Sequence, residues 1–81
     1  MRVKGTFFTS IDTEEELKRN LEVINNAIED NPYNISLQTD EDTYIGCAER
    51  AYIEDDHIVI EYEVDENFKD LLVSEGFSIL Y

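Results

Sequence analysis

The chain of 81 residues carries 20 acidic side chains against 6 basic ones, which leaves a formal net charge of −14. This length allows one domain, over residues 1–81, and the charge argues against direct binding to nucleic acid or to an anionic membrane, because both would repel it. An apolar content of 42%, with five tyrosines and four phenylalanines, is nevertheless too high for a disordered acidic tail, so we expect the chain to fold.

The first two predicted elements are a strand and a long helix. Residues 3–9 are rich in β-branched and aromatic side chains, which is typical of a strand. Thr13 and Glu16 have the spacing of a capping box, so a helix should begin there, and Pro32 should end it. The apolar side chains predicted to face the core from this helix are Leu17, Leu21, Val23, Ile24, Ala27 and Ile28.

Three strands are predicted next, in an antiparallel meander. Apolar and polar residues alternate over residues 33–38 and again over residues 58–64, and residues 43–53 form a longer strand between them. Acidic turns at residues 40–42 and 55–56 separate these strands. Gly46, inside the middle strand, indicates a bulge or a close backbone approach.

A short helix and a final strand complete the prediction. Asp65 should cap the helix, Phe68, Leu71 and Leu72 should face inward, and Gly76 should end it. The last five residues alternate again and predict a strand. The expected fold is therefore α+β, a two-layer sandwich with two helices on one face of a mainly antiparallel sheet, in the order β-α-β-β-β-α-β.

The sequence offers little for catalysis or for metal binding. His57 follows two aspartates and is interpreted either as a general base or as an exposed turn histidine, and the lone Cys47 as an inert buried thiol. Phosphate-binding loops and zinc motifs are absent, and residues 40–42 lack the remainder of a calcium-binding loop. We therefore expect no enzyme activity, no cofactor and no dedicated metal site.

The single cysteine and the hydropathy bear on location. One cysteine cannot form an internal disulfide, which suits a reducing compartment. The first residues lack the apolar segment of a signal peptide, and no apolar run approaches the ~18 residues of a membrane span. We expect a cytoplasmic protein.

The acidic residues are unevenly distributed along the chain. Residues 29–66 contain thirteen acids and one base, a charge of −12, whereas the rest of the chain has seven acids and five bases, a charge of −2. Glu61 and Glu63 should share a strand face about 6.6–6.8 Å apart, a spacing comparable to that of successive phosphates, and Glu49 could extend the row. Such acids are either preorganised for a partner's Lys and Arg side chains or form a solvated face that resists aggregation. The predicted partner-binding residues are Asp40, Glu41, Asp42, Glu49, Glu54, Asp55, Asp56, Glu61, Glu63, Asp65 and Glu66.

With these acids on a folded sheet, the chain resembles the small acidic DNA-mimic proteins that bacteriophages and other mobile elements encode. The resemblance implies an inhibitor, in the host cytoplasm, that occupies the basic DNA-binding surface of a host protein during host takeover. An HU-type nucleoid-associated protein is the leading target, because architectural proteins bind backbone charge and deformability rather than base sequence. RNA polymerase or a defence nuclease, of the restriction or CRISPR kind, stays open as a target. The alternative function is that of a small acidic structural or assembly subunit. In either case we expect a monomer or a homodimer.

Overall fold

The elements follow the predicted order β-α-β-β-β-α-β, and the fold is α+β. This computed structural model describes residues 1–7, 13–39 and 41–80. Single 3₁₀ turns lie at Pro32–Asn34 and Glu66–Phe68. The regular elements are β1 (Arg2–Phe7), α1 (Glu14–Asp30), β2 (Ser36–Gln38), β3 (Tyr44–Glu54), β4 (His57–Val64), α2 (Lys69–Ser74) and β5 (Ser78–Leu80).

The five strands form one antiparallel sheet in the order β2-β3-β4-β1-β5. The middle strand, β4, pairs with β1 from Ile58 to Glu63 and with β3 from His57 to Val64. Because side chains alternate along a strand, the even-numbered residues of β4 face one side and the odd-numbered residues face the other. The side reached by the even-numbered residues carries the core.

Both helices cover this core side of the sheet. Leu17 and Ile28 of α1 and Leu72 of α2 pack in one cluster with the sheet. The buried strand residues of that cluster are Val3, Ile45, Ala48, Ala51, Ile58, Ile60, Tyr62 and Val64. The opposite side of the sheet has no helix over it in the described part of the chain, and we refer to it as the open face.

Helix α1 begins and ends much as the sequence predicts. The backbone N–H of Glu16 donates to Thr13 Oγ1 at 3.3 Å, which satisfies one amide of the first turn. The predicted apolar stripe is confirmed at Leu17 and Ile28. Val23 is an exception, since it is 62% exposed. At about 100° per residue it lies roughly 130° from the centre of the stripe, too far round the helix to reach the sheet.

Two other local predictions were wrong, one about where β2 begins and one about the burial of Leu71. Strand β2 begins at Ser36 rather than at Tyr33, because Pro32 starts a 3₁₀ turn and the Asn31 side chain accepts the backbone N–H of Tyr33 at 3.0 Å. Leu71, predicted to face inward, is 42% exposed. Residues 8 and 9 of the predicted first strand and residue 81 of the last lie outside the described residues.

Gly46 marks a close approach of two backbones. A Cβ atom built at this position would collide with the carbonyl oxygen of Glu63 and would lie 2.8 Å from Val64 Cα. Strand register also shifts at two places in β3, opposite Leu37/Gln38 and between Ala48 and Arg50. The glycine was predicted correctly as a close approach, whereas the second shift left no signal in the composition of the strand.

A side chain of α1 satisfies the edge of β3 beyond the end of the short strand β2. The Asn25 amide donates to the Ala51 carbonyl oxygen at 3.2 Å, and its Oδ1 accepts the Ala51 N–H at 3.2 Å. These are the two bonds that a neighbouring strand would make. Asn25 thereby pairs an edge that would otherwise be open to another chain.

We expect Asn25→Asp to lower the free energy of unfolding by about 1–3 kcal/mol, because the carboxylate cannot donate to the Ala51 carbonyl oxygen and is repelled by it. Asn26→Asp is the matched control, since it makes the same charge change on the exposed side of the same helix. Urea unfolding of both variants measures the difference. Equal losses in the two variants would contradict the assigned role of Asn25.

Candidate partner-binding surface

The open face holds four ion pairs that link strands across the sheet. Arg2 Nη2 lies 2.5 Å from Glu49 Oε2, and Lys4 Nζ lies 3.2 Å from Glu54 Oε1. Arg50 Nη2 lies 2.9 Å from Glu61 Oε2, and the amino group of Met1 lies 2.9 Å from Glu63 Oε1. The register shift between Ala48 and Arg50 explains the pattern, since it leaves both Glu49 and Arg50 bonded to partners on this face.

Glu61 is the most buried charged residue of this face, with 3% of its surface exposed. The Arg50 hydrogen bond, opposed by burial, holds the pKa of the Glu61 carboxyl below its usual value. The Arg50 guanidinium also lies 5.3 Å from the centre of the Tyr52 ring, and the Glu61 carboxylate raises the pKa of Tyr52. These three side chains form a polar cluster on the surface of the sheet, beside the buried Val59.

The predicted glutamates do share one face of the sheet, but they are not free to bind a partner's cations. Glu49, Glu61 and Glu63 share one face, but each bonds to a cation, and Glu61 is buried. Sequence spacing fixes which face a side chain reaches, and it does not show that Arg2 and Arg50 reach the same place. These glutamates are not a row of exposed, unpaired carboxylates.

The described acids of the predicted set that form no ion pair lie at the two ends of the β3–β4 hairpin. At one end, the hairpin tip holds Asp55 and Asp56 in the turn between the strands. The other end, which we name the acidic end, brings together the β2–β3 turn and the residues that follow β4, since Asp65 N donates to the Ile45 carbonyl oxygen at 3.2 Å. The exposed acids of the acidic end are Glu41, Asp42, Asp65 and Glu66. Asp40 lies outside the described residues.

Backbone conformation accounts for part of this set without any partner. Asp42, Asp55 and Asp56 have φ values of 62°, 51° and 62°. Few residues besides glycine, asparagine and aspartate adopt this left-handed region readily. Asparagine would serve the backbone equally well, so the turns explain the small side chain but not its charge.

The excess negative charge belongs to acids that take no part in the four ion pairs. Those pairs use four acids and three of the six basic side chains. The other sixteen acids of the sequence are balanced by only three basic side chains, Lys18, Arg19 and Lys69. One of these bases, Lys18, pairs with Glu14 on α1 at 3.2 Å. The open face is thus nearly neutral, and the rest of the molecule carries almost the whole net charge.

The side chains weighed for catalysis lie apart. His57 is exposed at the start of β4, opposite Glu54. Cys47 is half-buried on β3, and its proximity is the main reason that the pKa of Tyr44 is raised to about 12. Within residues 1–7, 13–39 and 41–80, no three potential metal ligands converge. None of the described helices is long and apolar enough to cross a membrane.

No protein-family model, no curated protein and no solved structure matches this chain.

Glu61→Gln should lower the free energy of unfolding at pH 7 by about 1 kcal/mol, a small value because Arg50 is two-thirds exposed and water screens the pair. Since the pKa of Glu61 is lowered by folding, its contribution is complete above the pKa of the unfolded chain and is lost as pH falls through the folded pKa. The difference from wild type should therefore be constant between about pH 6 and 8, begin to shrink near the unfolded pKa of about 4.3, and disappear only as the pH falls through the lower folded pKa. Urea unfolding across this range measures it. Glu29→Gln, an exposed change of equal charge, should show no loss at pH 7, and equal losses in both variants would contradict the pairing.

Adding NaCl should raise the thermal midpoint of the wild-type protein. Salt screens the repulsion among the excess acids over a Debye length of about 10 Å at 0.1 M, and exposed ion pairs contribute little that salt can remove. Thermal melts from low to moderate NaCl measure the effect. A flat or falling midpoint would mean that the ion pairs of the open face outweigh the repulsion elsewhere.

Proposed function

We propose that this protein is an acidic DNA-mimic inhibitor, in which exposed carboxylates occupy the basic DNA-binding surface of another protein. The leading target is an HU-type nucleoid-associated protein of a host cell, and a bacteriophage is the proposed source. The protein would act in the cytoplasm by binding, with no catalytic step and no cofactor. The predicted row of glutamates on the open face does not carry the proposal, because those acids are paired.

The observation that carries the proposal is the density of net charge along the molecule. The longest dimension of the fold is 37 Å, which is close to one turn of B-DNA at about 34–36 Å. Duplex DNA of that length carries roughly 22 phosphate charges, at one per about 1.7 Å. The net charge of −14 is therefore about two-thirds of that of the duplex. A protein that binds DNA chiefly through its phosphates would be attracted to such a surface.

The positions of the exposed acids support binding at both ends of the hairpin. The hairpin tip and the acidic end are separated by β4, whose eight residues span about 23 Å. Strand pairing fixes this separation before a partner arrives. A rigid arrangement of charges loses less entropy on binding than a flexible acidic tail of the same charge.

The choice among targets rests on how each target recognises DNA. An architectural protein reads phosphate charge and deformability, so a charged surface alone can compete for it. RNA polymerase or a restriction or CRISPR nuclease is the alternative target within the same function.

A small acidic structural or assembly subunit is the alternative function. The left-handed conformations of Asp42, Asp55 and Asp56 are compatible with it, because turn geometry accounts for a small side chain at these positions without any partner. Such a subunit would bind no DNA-binding protein, and its acids would serve solubility.

A competition assay tests the proposal. A fluorescent duplex bound to purified HU-type protein should be released as the acidic protein is added, at constant ionic strength. The double variant Glu41→Gln with Asp42→Asn should raise the concentration for half-release by about tenfold or more, and Asp55→Asn with Asp56→Asn should do the same. Asparagine keeps the left-handed backbone at these positions, so the fold is preserved.

The matched control is Glu22→Gln with Glu29→Gln, which removes the same charge from exposed positions on α1. Its effect should stay within about twofold, the result of lowered long-range attraction alone. Equal effects of all three double variants would reduce the interaction to non-specific charge. A complex that holds the acidic protein and the duplex together on one target would rule out mimicry, and the absence of any release would exclude the HU-type target.

A further inference from the structure

An apolar groove of about 540 Å³ opens beside the acidic end, between the β2–β3 turn and α2. Leu37 and Ile45 contribute from the sheet, and Phe68, Leu71 and Phe77 contribute from α2 and the segments on either side of it. This volume is in the range of sites that enclose a ligand or a large side chain. Besides charge, the protein therefore offers a concave, partly apolar site.

The polar lining of the groove combines two acids with the neutral Gln38, Thr39 and Thr43. Glu41 lines it from the β2–β3 turn and Glu75 from the end of α2, and no basic side chain is among its lining residues in the part of the chain that the structure describes. Asp42, next to Glu41, adds a further exposed acid. An apolar floor with an acid on each side is complementary to an apolar side chain with lysine or arginine on either side of it.

Several apolar side chains of the groove are exposed or only half-buried. Leu71 is 42% exposed although it lies next to the buried Leu72, and Phe68 and Phe77 are only half-buried. The described residues of this chain do not cover these side chains. Exposed apolar surface with a polar rim is typical of a site for a protein partner.

We propose that this groove anchors a basic amphipathic segment of the partner protein, with one or more apolar side chains on the floor and cations against Glu41 and Glu75. The inference rests on the proposed function, because it names the chemistry of the partner's contact. It adds what a charge array lacks: a salt-resistant, shape-dependent contact that selects one basic surface among many. An apolar core with a polar rim is a common composition of protein–protein interfaces.

A pair of synthetic peptides tests the groove without knowledge of the partner. The first is a helical peptide of about 15 residues with lysines on one face and leucines on the other. The second replaces every leucine by glutamine and keeps the charge. At about 0.15 M NaCl the leucine peptide should bind the full-length protein about tenfold more tightly than the glutamine peptide, through burial of leucine in the groove.

Variants of the groove locate the binding. Leu71→Asn should reduce the preference for the leucine peptide to about twofold, whereas Val73→Asn should leave it unchanged. Val73 is the matched control, since it is 52% exposed on the same helix and does not line the groove. Thr43→Phe, which fills the groove from the opposite side, should abolish the preference as well, so that a loss cannot be assigned to unfolding of α2. Amide shifts in ¹⁵N spectra should change around the groove and not at Asp55 or Asp56.

The remaining outcomes contradict either the groove proposal or the DNA-mimic proposal. Equal binding of the two peptides, or equal effects of Leu71→Asn and Val73→Asn, would overturn the groove proposal. So would a dimer that Leu71→Asn converts to a monomer, because a second copy would then cover the groove. If the peptides bind equally but the protein still releases DNA from its target, only the groove proposal fails. If the leucine peptide binds in the groove and no DNA is released from the HU-type protein, the groove proposal stands and the HU-type target is excluded.

Discussion

Three of the basic side chains pair with glutamates on the open face of the sheet, and this pairing determines where the unbalanced negative charge of the protein lies. Both helices lie on one side of the five-stranded sheet, and on its other side, where no described helix packs, β4 is buried even at Val59 and Glu61. Long charged side chains from β1 and β3, in particular Arg2, Lys4 and Arg50, reach partners across the strands and shield β4. Since the chain has only six basic side chains, this layer leaves three for everything else.

This constraint separates two kinds of acid. Glutamates on strands of the open face bond to cations and hold strands together, because repulsion between unpaired acids on adjacent strands would oppose pairing. Acids at turns project into water, where two like charges even 4 Å apart repel by only about 1 kcal/mol. Asp55 and Asp56 can therefore remain unpaired at little cost to folding. The exposed charge collects at the ends of the strands and along the outer side of α1.

The separation also explains how much of the structure the sequence predicts. Local signals sufficed for most elements: Thr13 caps α1, Gly46 meets the backbone of β4, and alternation gives the two sides of β4. Predictions failed where an outcome depended on residues distant in sequence. The burial of Glu61 requires Arg50, eleven positions away and moved by a shift in register, and the edge of β3 requires Asn25 from the helix.

The candidate site was predicted in part for the same reason. Composition and charge distribution identify acids that need a partner or solvent, and the turn acids at Asp42 and Asp55 are among them. The groove could not be predicted, because Leu37 and Phe77 lie forty residues apart in sequence and line the same groove only in the folded chain. Leu71 has the spacing of a core residue on α2, and only the path of the helix over the sheet leaves it exposed.

Stability and binding place opposite demands on the excess acids. A domain of this size is stable by only about 4–12 kcal/mol, so summed repulsion among many exposed acids is a considerable fraction of the total. Replacing the turn acids by asparagine and glutamine would relieve that repulsion and keep the left-handed turns. A sequence under selection for stability alone would therefore lose these charges, whereas acids held for a basic partner would persist against their cost. Stabilisation by these substitutions, measured together with loss of binding, distinguishes charges kept for a partner from charges kept for solubility, because solubility needs net charge at no particular position.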